Sequence, residues 1–396
     1  MCFNRMRTYF AENLGGQAIV DRSQRSSDRY EHHRLQPRGT DIQVGVIGFG
    51  YATRTFHAPL LQATPGFHLT AVASTRAAEV QAALPGVEVV PDPGALARHP
   101  GIDLIVVATP NETHAPLAEA ALRAGRHVVV DKPFTVTTAE ARHLAGVARW
   151  SGALLSVFHN RRWDSDFLTV QEVLRRGILG RLALCESRFD RFRPEVRDRW
   201  REGTAPGSGL LYDLGPHLID QALVLFGIPH TVQATLARQR PGARSDDYFH
   251  LVLRYAEGLV VTLKAGMLVS GGSARFALHG DRASLIKHKP DIQEDQLRAG
   301  VLPGGPDWGG DPDEAVLSDG VTGETHALKA IPGDQREYYA ALREALHGRA
   351  PNPVSPAQGA TVIALVEAAL RSESEGRRVA PDLRDEERAA WTGGAG

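Results

Sequence analysis

Short apolar runs alternate with amphipathic segments in the first half of the chain. The runs are rich in β-branched residues and lie at 42–50, 67–74, 103–109, 127–130 and 153–158. Helical patterns separate them, as at 113–125, which begins with a threonine and ends with a glycine. Strands that alternate with helices form parallel sheets buried on both faces. The pattern therefore predicts an α/β domain with a doubly wound parallel sheet.

The second half has a different pattern. After a helical stretch at 165–177, alternation typical of antiparallel strands occurs at 182–192, 230–240, 247–256, 259–268 and 274–280. Glu257-Gly258 separates two of these runs and predicts a hairpin. Helices are predicted at 211–227, 334–348 and 357–376, and long loops at 289–330, which is rich in Gly, Pro and Asp. We expect an α+β domain with an open, largely antiparallel sheet.

These patterns set the expected domain boundaries. Residues 1–40 are polar and arginine-rich without apolar periodicity, which predicts a disordered N-terminal extension. The parallel-sheet domain is then expected at 41–158 and the α+β domain at 159–385.

Composition narrows the class of protein. The 396 residues are 42% hydrophobic and 23% charged with a net charge of −1, which gives no electrostatic attraction to nucleic acid or anionic membranes. No apolar run approaches the roughly 20 residues that span a bilayer. Cys2 and Cys185 are far apart and lack metal-binding spacing, so a reducing compartment is favoured. A cytoplasmic protein is predicted.

A glycine turn follows the first strand. VGVIGFGYATRTFH places Gly48 and Gly50 between that strand and a helix, where backbone N–H groups can approach a pyrophosphate. Thr53 occupies the position of the usual third glycine, where a β-branched residue fits less easily. The turn favours a Rossmann-type dinucleotide site, although such a motif alone is a weak signal.

The end of the second strand bears on the choice of cofactor. An NAD site usually has an acidic residue there, whereas this chain has Ser74-Thr75-Arg76 with no carboxylate expected within reach. A hydroxyl and a guanidinium suit a 2′-phosphate. NADP is therefore favoured over NAD, and the alternative is a plain solvated loop.

Two further patterns carry possible chemistry. The chain has 45 basic residues, yet Lys132, in HVVVDKPF at the end of a strand, is the only lysine before Lys264, so an amine is needed there. Asp213 and His217 are four residues apart in YDLGPHLID and share one helical face, although such a pair can be incidental. Asp220 could orient the histidine or lie on an exposed face. A zinc site lacks a third ligand, so no metal is predicted.

Together these motifs resemble the Gfo/Idh/MocA family of oxidoreductases over about 41–385, with Gly-x-Gly, then DKP, then Asp-x-x-x-His in order. Stretches such as LLSVFHNRRWDSDFLT and SRFDRFRPEVRDRWRE are most similar to NADP-dependent scyllo-inositol dehydrogenase-like members. The family usually has glutamate before its lysine, where this chain has Asp131.

The resemblance implies roles for individual residues. Lys132 would bind the reacting oxygen and relay its proton, His217 would be the general acid or base, and Asp213 would orient the substrate. Pro133 would form a cis bond beside the nicotinamide. Further cofactor contacts are expected from Tyr51, Thr109, Asn111, His114, Asp131, Trp200 and Arg201, and substrate contacts from Asn160 and Trp163. Arg161 and Arg162 would either face the ligands or form an interdomain salt bridge.

Three functions are consistent with these residues. The first is an NADP-dependent dehydrogenase of a cyclic polyol or sugar, with inositol as the first guess. The second is a related enzyme for another carbonyl, such as a dihydrodiol or sugar lactone. The third is a non-catalytic dinucleotide sensor with a protein partner. Apolar alternation at 247–268 needs a surface to pack on, which predicts a homodimer or homotetramer.

Overall fold

The computed structural model describes residues 37, 39 and 41–391. The predicted N-terminal extension therefore lies, apart from two residues, outside the described part of the chain. Within that part, no helix is both long and apolar enough to cross a membrane.

The first domain contains a parallel sheet. Within residues 41–391, six strands form it: β1 (Ile42–Ile47), β2 (Phe67–Ala73), β3 (Glu88–Val90), β4 (Leu104–Val107), β5 (His127–Asp131) and β6 (Leu155–Phe158). Their order is β3-β2-β1-β4-β5-β6, and every neighbouring pair is parallel. The central strands are almost fully buried because helices cover both faces. The predicted doubly wound sheet is confirmed.

The helices of this domain are α1 (Ala58–Gln62), α2 (Ala77–Ala83), α3 (Pro93–Arg98), α4 (His114–Arg123) and α5 (Thr138–Ser151). Capping determines where α5 begins, since the Thr137 side chain accepts from the Glu140 N–H and the Glu140 carboxylate accepts from the Thr137 N–H. The hydrophobic pattern predicted helices between the strands but gave no bounds for α2 or α3, and it did not predict β3. These elements have seven residues or fewer and bury only one or two residues each.

The second sheet comprises, in the described region, eight strands: β7 (Leu182–Arg188), β8 (Thr231–Ala237), β9 (Tyr248–Arg254), β10 (Val260–Gly266), β11 (Phe276–Gly280), β12 (Ala283–Lys287), β13 (Ala315–Asp319) and β14 (Thr325–Leu328). Their order is β14-β13-β12-β11-β7-β10-β9-β8. The β7–β10 pair is parallel and the other pairs are antiparallel. The predicted open, largely antiparallel sheet is confirmed, and Arg254 pairs with Val260 across the predicted hairpin.

The prediction of continuous loops at 289–330 is wrong. That stretch contains a short helix, α8 (Gln293–Arg298), and strands β13 and β14 at the edge of the sheet. Because β14 is mostly exposed, its sequence lacks the alternation of apolar and polar residues that marks a half-buried strand.

The remaining helices are α6 (Ser165–Arg175), α7 (Leu210–Phe226), α9 (Arg336–Leu346), α10 (Pro356–Glu375) and α11 (Asp385–Ala389). Helix α7 is buried along most of its length and packs against β9 and β10. Tyr338, Tyr339 and Leu342 of α9 belong to the apolar core of the first sheet. The chain therefore returns to the first domain after completing the second sheet.

Candidate active site

The turn after β1 depends on glycine for two different reasons. Gly48 has φ +98°, and a Cβ there would lie 2.4 Å from the Ala108 carbonyl oxygen, so the fold itself excludes a side chain. Gly50 has no such constraint, since a Cβ would meet nothing within 4 Å. Its small size leaves room beside the turn, as expected where a phosphate must approach backbone. The turn therefore fits a dinucleotide.

Thr53 stabilises this turn. Its side chain is fully buried and its hydroxyl donates a hydrogen bond of 2.8 Å to the Gly48 carbonyl. The expectation that a β-branched residue would fit less easily here is wrong, because the chain forms a π-helical turn at Thr53–His57 before α1 begins. The hydroxyl links the start of that turn back to β1.

Ser74, Thr75 and Arg76 follow β2 at the same edge of the sheet. The Arg76 guanidinium donates to the carbonyl of Phe49, in the middle of the glycine turn, and lies 6.0 Å from the Phe49 ring centroid. The expectation that no carboxylate is within reach is wrong, since Glu79 in the first turn of α2 lies 3.1 Å from Arg76 Nη1. The sequence pattern gave no bounds for α2, so it did not place Glu79 beside Arg76.

Lys132 links the two domains. It follows β5, its peptide bond to Pro133 is cis, and its Nζ donates a hydrogen bond of 2.6 Å to the main-chain oxygen of Asp213 on α7. The Asp213 carboxylate lies 3.4 Å away. The ends of β5 and α7 are thus brought together by the amine that the sequence singled out.

Asp131 is supported by residues that sequence reasoning did not find. Its carboxylate accepts from the Lys132 N–H and lies 3.8 Å from His57 Nε2. His57 Nδ1 lies 2.7 Å from the hydroxyl of Tyr339, on α9. Burial alone would raise the pKa of Asp131, but the nearby His57 and Lys132 lower it below its usual value. Asp131 therefore stays ionised beside Lys132.

Asp213 and His217 lie on one face of α7, as their spacing predicts. Burial would raise the pKa of Asp213, but Lys132 and Arg201 outweigh it and keep the group ionised; Arg201 Nε lies 3.5 Å from the carboxylate. Burial, and then the positive charges of Lys132 and Arg161, hold the pKa of His217 well below its usual value. Burial also lowers the pKa of Lys132, while Asp213 opposes that shift. A neutral imidazole therefore lies near an amine that loses its proton more readily than an exposed lysine does.

Several of the residues predicted to contact the cofactor form hydrogen bonds between loops. The two ring nitrogens of His114 lie 2.8 Å and 3.0 Å from the carbonyl oxygens of Pro133 and Thr109. Asn111 donates to the Gly207 carbonyl at 2.8 Å, in the loop that follows Trp200 and Arg201. These side chains position the segments around Lys132.

Residues after β6 separate into two groups. Asn160 lines the cleft and donates to Gln335. Trp163 is partly buried and packs against the core, with its ring edge-on to Tyr338 at 5.9 Å. Trp163 was expected to contact the substrate, but it lies outside the described lining of the cleft.

Arg161 and Arg162 both form ion pairs. Arg161 contacts Asp164 at 3.0 Å and Glu294 at 2.7 Å and also lines the cleft. Arg162 forms two hydrogen bonds with Asp220, the shorter at 2.6 Å. Asp220 is therefore engaged with Arg162 rather than orienting His217 or facing solvent.

One cleft of about 440 Å³ joins these groups. Of the predicted site residues, its lining includes Tyr51, Asp131, Lys132, Asn160, Arg201, Asp213 and His217. The described lining also has seven arginines, namely Arg161, Arg191, Arg193, Arg197, Arg199, Arg201 and Arg298. The other predicted residues lie outside this described lining: Gly48, Gly50, Ser74, Thr75, Arg76, Thr109, Asn111, His114, Pro133, Trp163 and Trp200.

The wall contributed by α8 was missed. Glu294 accepts a hydrogen bond of 2.7 Å from the Tyr51 hydroxyl, next to the glycine turn. Burial, and then this bond to Glu294, raises the pKa of Tyr51 to about 12. Arg298 lies one turn further along the helix. No sequence signal marked these residues, because the pattern around them predicted loops.

Comparison with known proteins decides the family. Residues 42–159 match the Gfo/Idh/MocA description "Oxidoreductase family, NAD-binding Rossmann fold", and residues 171–380 match its companion, "Oxidoreductase family, C-terminal alpha/beta domain". The chain belongs to the Gfo/Idh/MocA family of oxidoreductases. The predicted resemblance is thus confirmed, and so is the prediction that the protein is an enzyme.

The chain matches similar family members over nearly their whole lengths. The uncharacterized oxidoreductase YdgJ of Escherichia coli is 51% identical, over 84% of this chain and 96% of its own. The scyllo-inositol 2-dehydrogenase (NADP(+)) IolW of Bacillus subtilis is 38% identical, over 85% of this chain and 95% of its own. A crystal structure from Klebsiella pneumoniae has 49% identity and a TM-score of 0.84, covering 89% of this chain and 98% of its own.

Proposed function

We propose that the protein is an NADP-dependent oxidoreductase that transfers hydride between the nicotinamide and a secondary alcohol or ketone of a cyclic polyol or sugar. Inositol is the first candidate, since the similar IolW of Bacillus subtilis is a scyllo-inositol 2-dehydrogenase (NADP(+)). The observation that carries the proposal is the convergence of Lys132, Asp213 and His217 in one cleft with Tyr51 of the glycine turn.

The residues of the cleft supply proton transfer and orientation. When bound, NADP supplies the hydride chemistry at its nicotinamide. In the oxidation direction, the Lys132 amine binds the substrate hydroxyl. The hydroxyl proton passes either to Lys132 in its deprotonated form or to neutral His217 as the carbonyl forms. His217 stays neutral because its pKa lies well below the usual value, so one of its ring nitrogens is able to accept that proton. Asp213 positions the Lys132 amine, and its carboxylate can accept a hydrogen bond from a second substrate hydroxyl.

Cofactor preference is assigned to the end of β2. Arg76 lies against the glycine turn and is the cation that would pair with a 2′-phosphate, after releasing Glu79. Losing a charged hydrogen-bonded pair costs about 1.5 to 3 kcal/mol, so Arg76→Ala should weaken NADP binding by roughly tenfold to a hundredfold. NAD binding should barely change. The measurement is the ratio of kcat/KM for the two cofactors, and an unchanged ratio would contradict the assignment.

A second candidate is a reductase or dehydrogenase of another carbonyl, such as a dihydrodiol or a sugar lactone, which would use the same proton-transfer residues. A non-catalytic dinucleotide sensor is disfavoured, because it has no need for an amine, a carboxylate and a neutral imidazole in one cleft. NADP reduction, followed at 340 nm across polyols, sugars and dihydrodiols, separates the three. NADPH binding without turnover of any of them would favour the sensor.

A homodimer or homotetramer and a cytoplasmic location complete the proposal. The face of the second sheet opposite α7 carries Tyr248, Val252 and Val260, all partly exposed in the single chain. These side chains would pack against a second copy. A monomeric mass by light scattering at micromolar concentration would contradict the oligomer.

A further inference from the structure

An arginine-rich segment at 190–203 forms one wall of the cleft. Its backbone extends β7, since the Arg191 N–H donates to the Gly266 carbonyl and the Arg193 N–H to the Met267 carbonyl. Successive side chains of an extended segment point to opposite sides. Arg191 and Arg193 accordingly line the cleft, whereas Phe192 between them is 57% exposed.

A buried arginine holds this wall in place. Arg240 donates to the carbonyl oxygens of Arg193 and Glu195 and forms ion pairs of 2.9 Å with Glu202 and Asp247. The Arg240 side chain is only 3% exposed, and its charge is matched by the two carboxylates. The segment is therefore a fixed part of the fold rather than a free loop.

The cations on this wall differ in their pairing. Arg199 pairs with Glu202 and Arg201 with Asp213. In the part of the chain that the structure describes, the guanidinium groups of Arg191, Arg193 and Arg197 form neither an ion pair nor a hydrogen bond. Burial, and then the charges of Arg191, Arg197 and Arg199, lower the pKa of Arg193. Positive charge is thus concentrated in the cleft of a chain whose net charge is −1.

This charge lies on the reaction side of the cleft. Arg201, on the same segment, lies 3.5 Å from the Asp213 carboxylate, and Arg191 and Arg199 also lower the pKa of that carboxylate, after the larger effects of Lys132 and Arg201. The positions assigned to the cofactor phosphates are different, since they are the glycine turn at Gly48–Gly50 and the end of β2 at Arg76. The unpaired arginines therefore lie where the substrate, rather than the cofactor phosphates, is expected.

We infer that the substrate is an anion, a sugar or cyclitol bearing a carboxylate or a phosphate ester, whose charged group binds to Arg191 and Arg193 while its carbinol carbon lies at Lys132 and His217. This inference rests on the proposed function and narrows its substrate class to charged sugars and cyclitols, so that an inositol phosphate replaces free inositol as the candidate. Planar guanidinium groups suit both oxyanions because they donate paired, charge-assisted hydrogen bonds. An unpaired cationic wall also increases the association rate of anions.

The test compares binding of matched neutral and anionic compounds to the full chain loaded with NADP⁺. Each compound would be titrated into the protein by calorimetry. The matched sets are glucose with glucuronate and glucose 6-phosphate, galactose with galacturonate, and inositol with inositol 1-phosphate. The proteins are the wild type, the double variant Arg191→Gln/Arg193→Gln, and a control, Arg175→Gln/Arg176→Gln. The control removes the same charge from two exposed positions at the end of α6, which among residues 41–391 form ion pairs with Glu172 alone.

We expect at least one anion to bind the wild type about tenfold or more tightly than its neutral partner. The preference should disappear in the Arg191/Arg193 variant and persist in the control. If the carboxylates show this preference, the charged group of the substrate is a carboxylate; if the phosphate esters show it, the group is a phosphate ester. Equal binding within every pair, or a preference that survives in the Arg191/Arg193 variant, overturns the inference.

Two further readouts separate the possible failures. If the Arg191/Arg193 variant loses NADPH affinity and the wild type shows no anion preference, the arginines bind cofactor phosphates and the inference is overturned. NADP reduction at 340 nm is followed in the same samples. An anion preference without NADP reduction would overturn the proposed function and leave the anion site standing.

Discussion

Replacing Lys132 with arginine tests whether the cleft needs an amine or only a positive charge. The amine contacts the main-chain and carboxylate oxygens of Asp213, and burial lowers its pKa. Arginine retains the charge but stays protonated at any working pH, so it can neither accept a proton nor give one up. The substitution therefore preserves the electrostatics and removes the proposed chemistry.

The expected loss follows from these contacts. General acid–base catalysis contributes about a hundredfold to ten-thousandfold in rate, which corresponds to about 3 to 5 kcal/mol in the barrier. Guanidinium also brings five N–H donors to a buried position where the amine uses two oxygens of Asp213. Leaving a donor unsatisfied costs about 1 to 3 kcal/mol, so we expect a modest fall in thermal stability as well.

Two quantities are measured: kcat with NADP as the cofactor, and the affinity for NADPH by fluorescence titration. Lys264→Arg is the matched control. Lys264 is a second lysine, on β10, whose side chain is 30% exposed and lies outside the cleft lining. We expect at least a hundredfold loss of kcat in Lys132→Arg, nearly unchanged NADPH affinity, and an unaffected control. Near-normal turnover by Lys132→Arg would refute the requirement for an amine.

Two other predictions test the turn and the histidine. Gly50→Ala should leave the melting temperature unchanged, since its Cβ meets nothing within 4 Å, yet weaken NADPH binding about tenfold; a fall in stability with intact binding would contradict the phosphate role. His217 has a folded-state pKa below its usual 6.5, so the unfolded state binds more protons and stability falls as pH drops below about 6.5. His217→Gln should therefore show a shallower loss of unfolding free energy between pH 6.5 and 5 in urea titrations, and identical slopes would show that His217 is not buried as a neutral group.

Local patterns predicted the parts of the site that depend on short stretches of chain. The scarcity of lysine identified Lys132, and helical spacing placed Asp213 and His217 on one face of α7. The parallel sheet was readable because strands buried on both faces form continuous apolar runs. Lys132 and Asp213 are 81 residues apart in sequence, and only the family resemblance implied that they act on the same substrate.

The remainder depends on tertiary packing. The support of Asp131 by His57 and Tyr339 joins residues 282 positions apart, which no local pattern encodes. Glu294 and Arg298 lie on a six-residue helix in a stretch rich in Gly, Pro and Asp. That composition predicted loops, so this wall of the cleft was not predicted. Trp163 was expected to contact the substrate. Its ring instead packs against Tyr338, and nothing in its sequence position indicates that contact.

The fate of the hydrogen on the carbinol carbon tests the central claim most directly. The best substrate from the NADP-reduction panel would be prepared with deuterium on that carbon and incubated with the wild type and NADP⁺, and the reduced cofactor would be analysed by mass spectrometry and NMR. The proposed function predicts one deuterium at C4 of the nicotinamide, because hydride passes directly between the two carbons beside Lys132 and His217. Reduced cofactor without deuterium would contradict direct transfer.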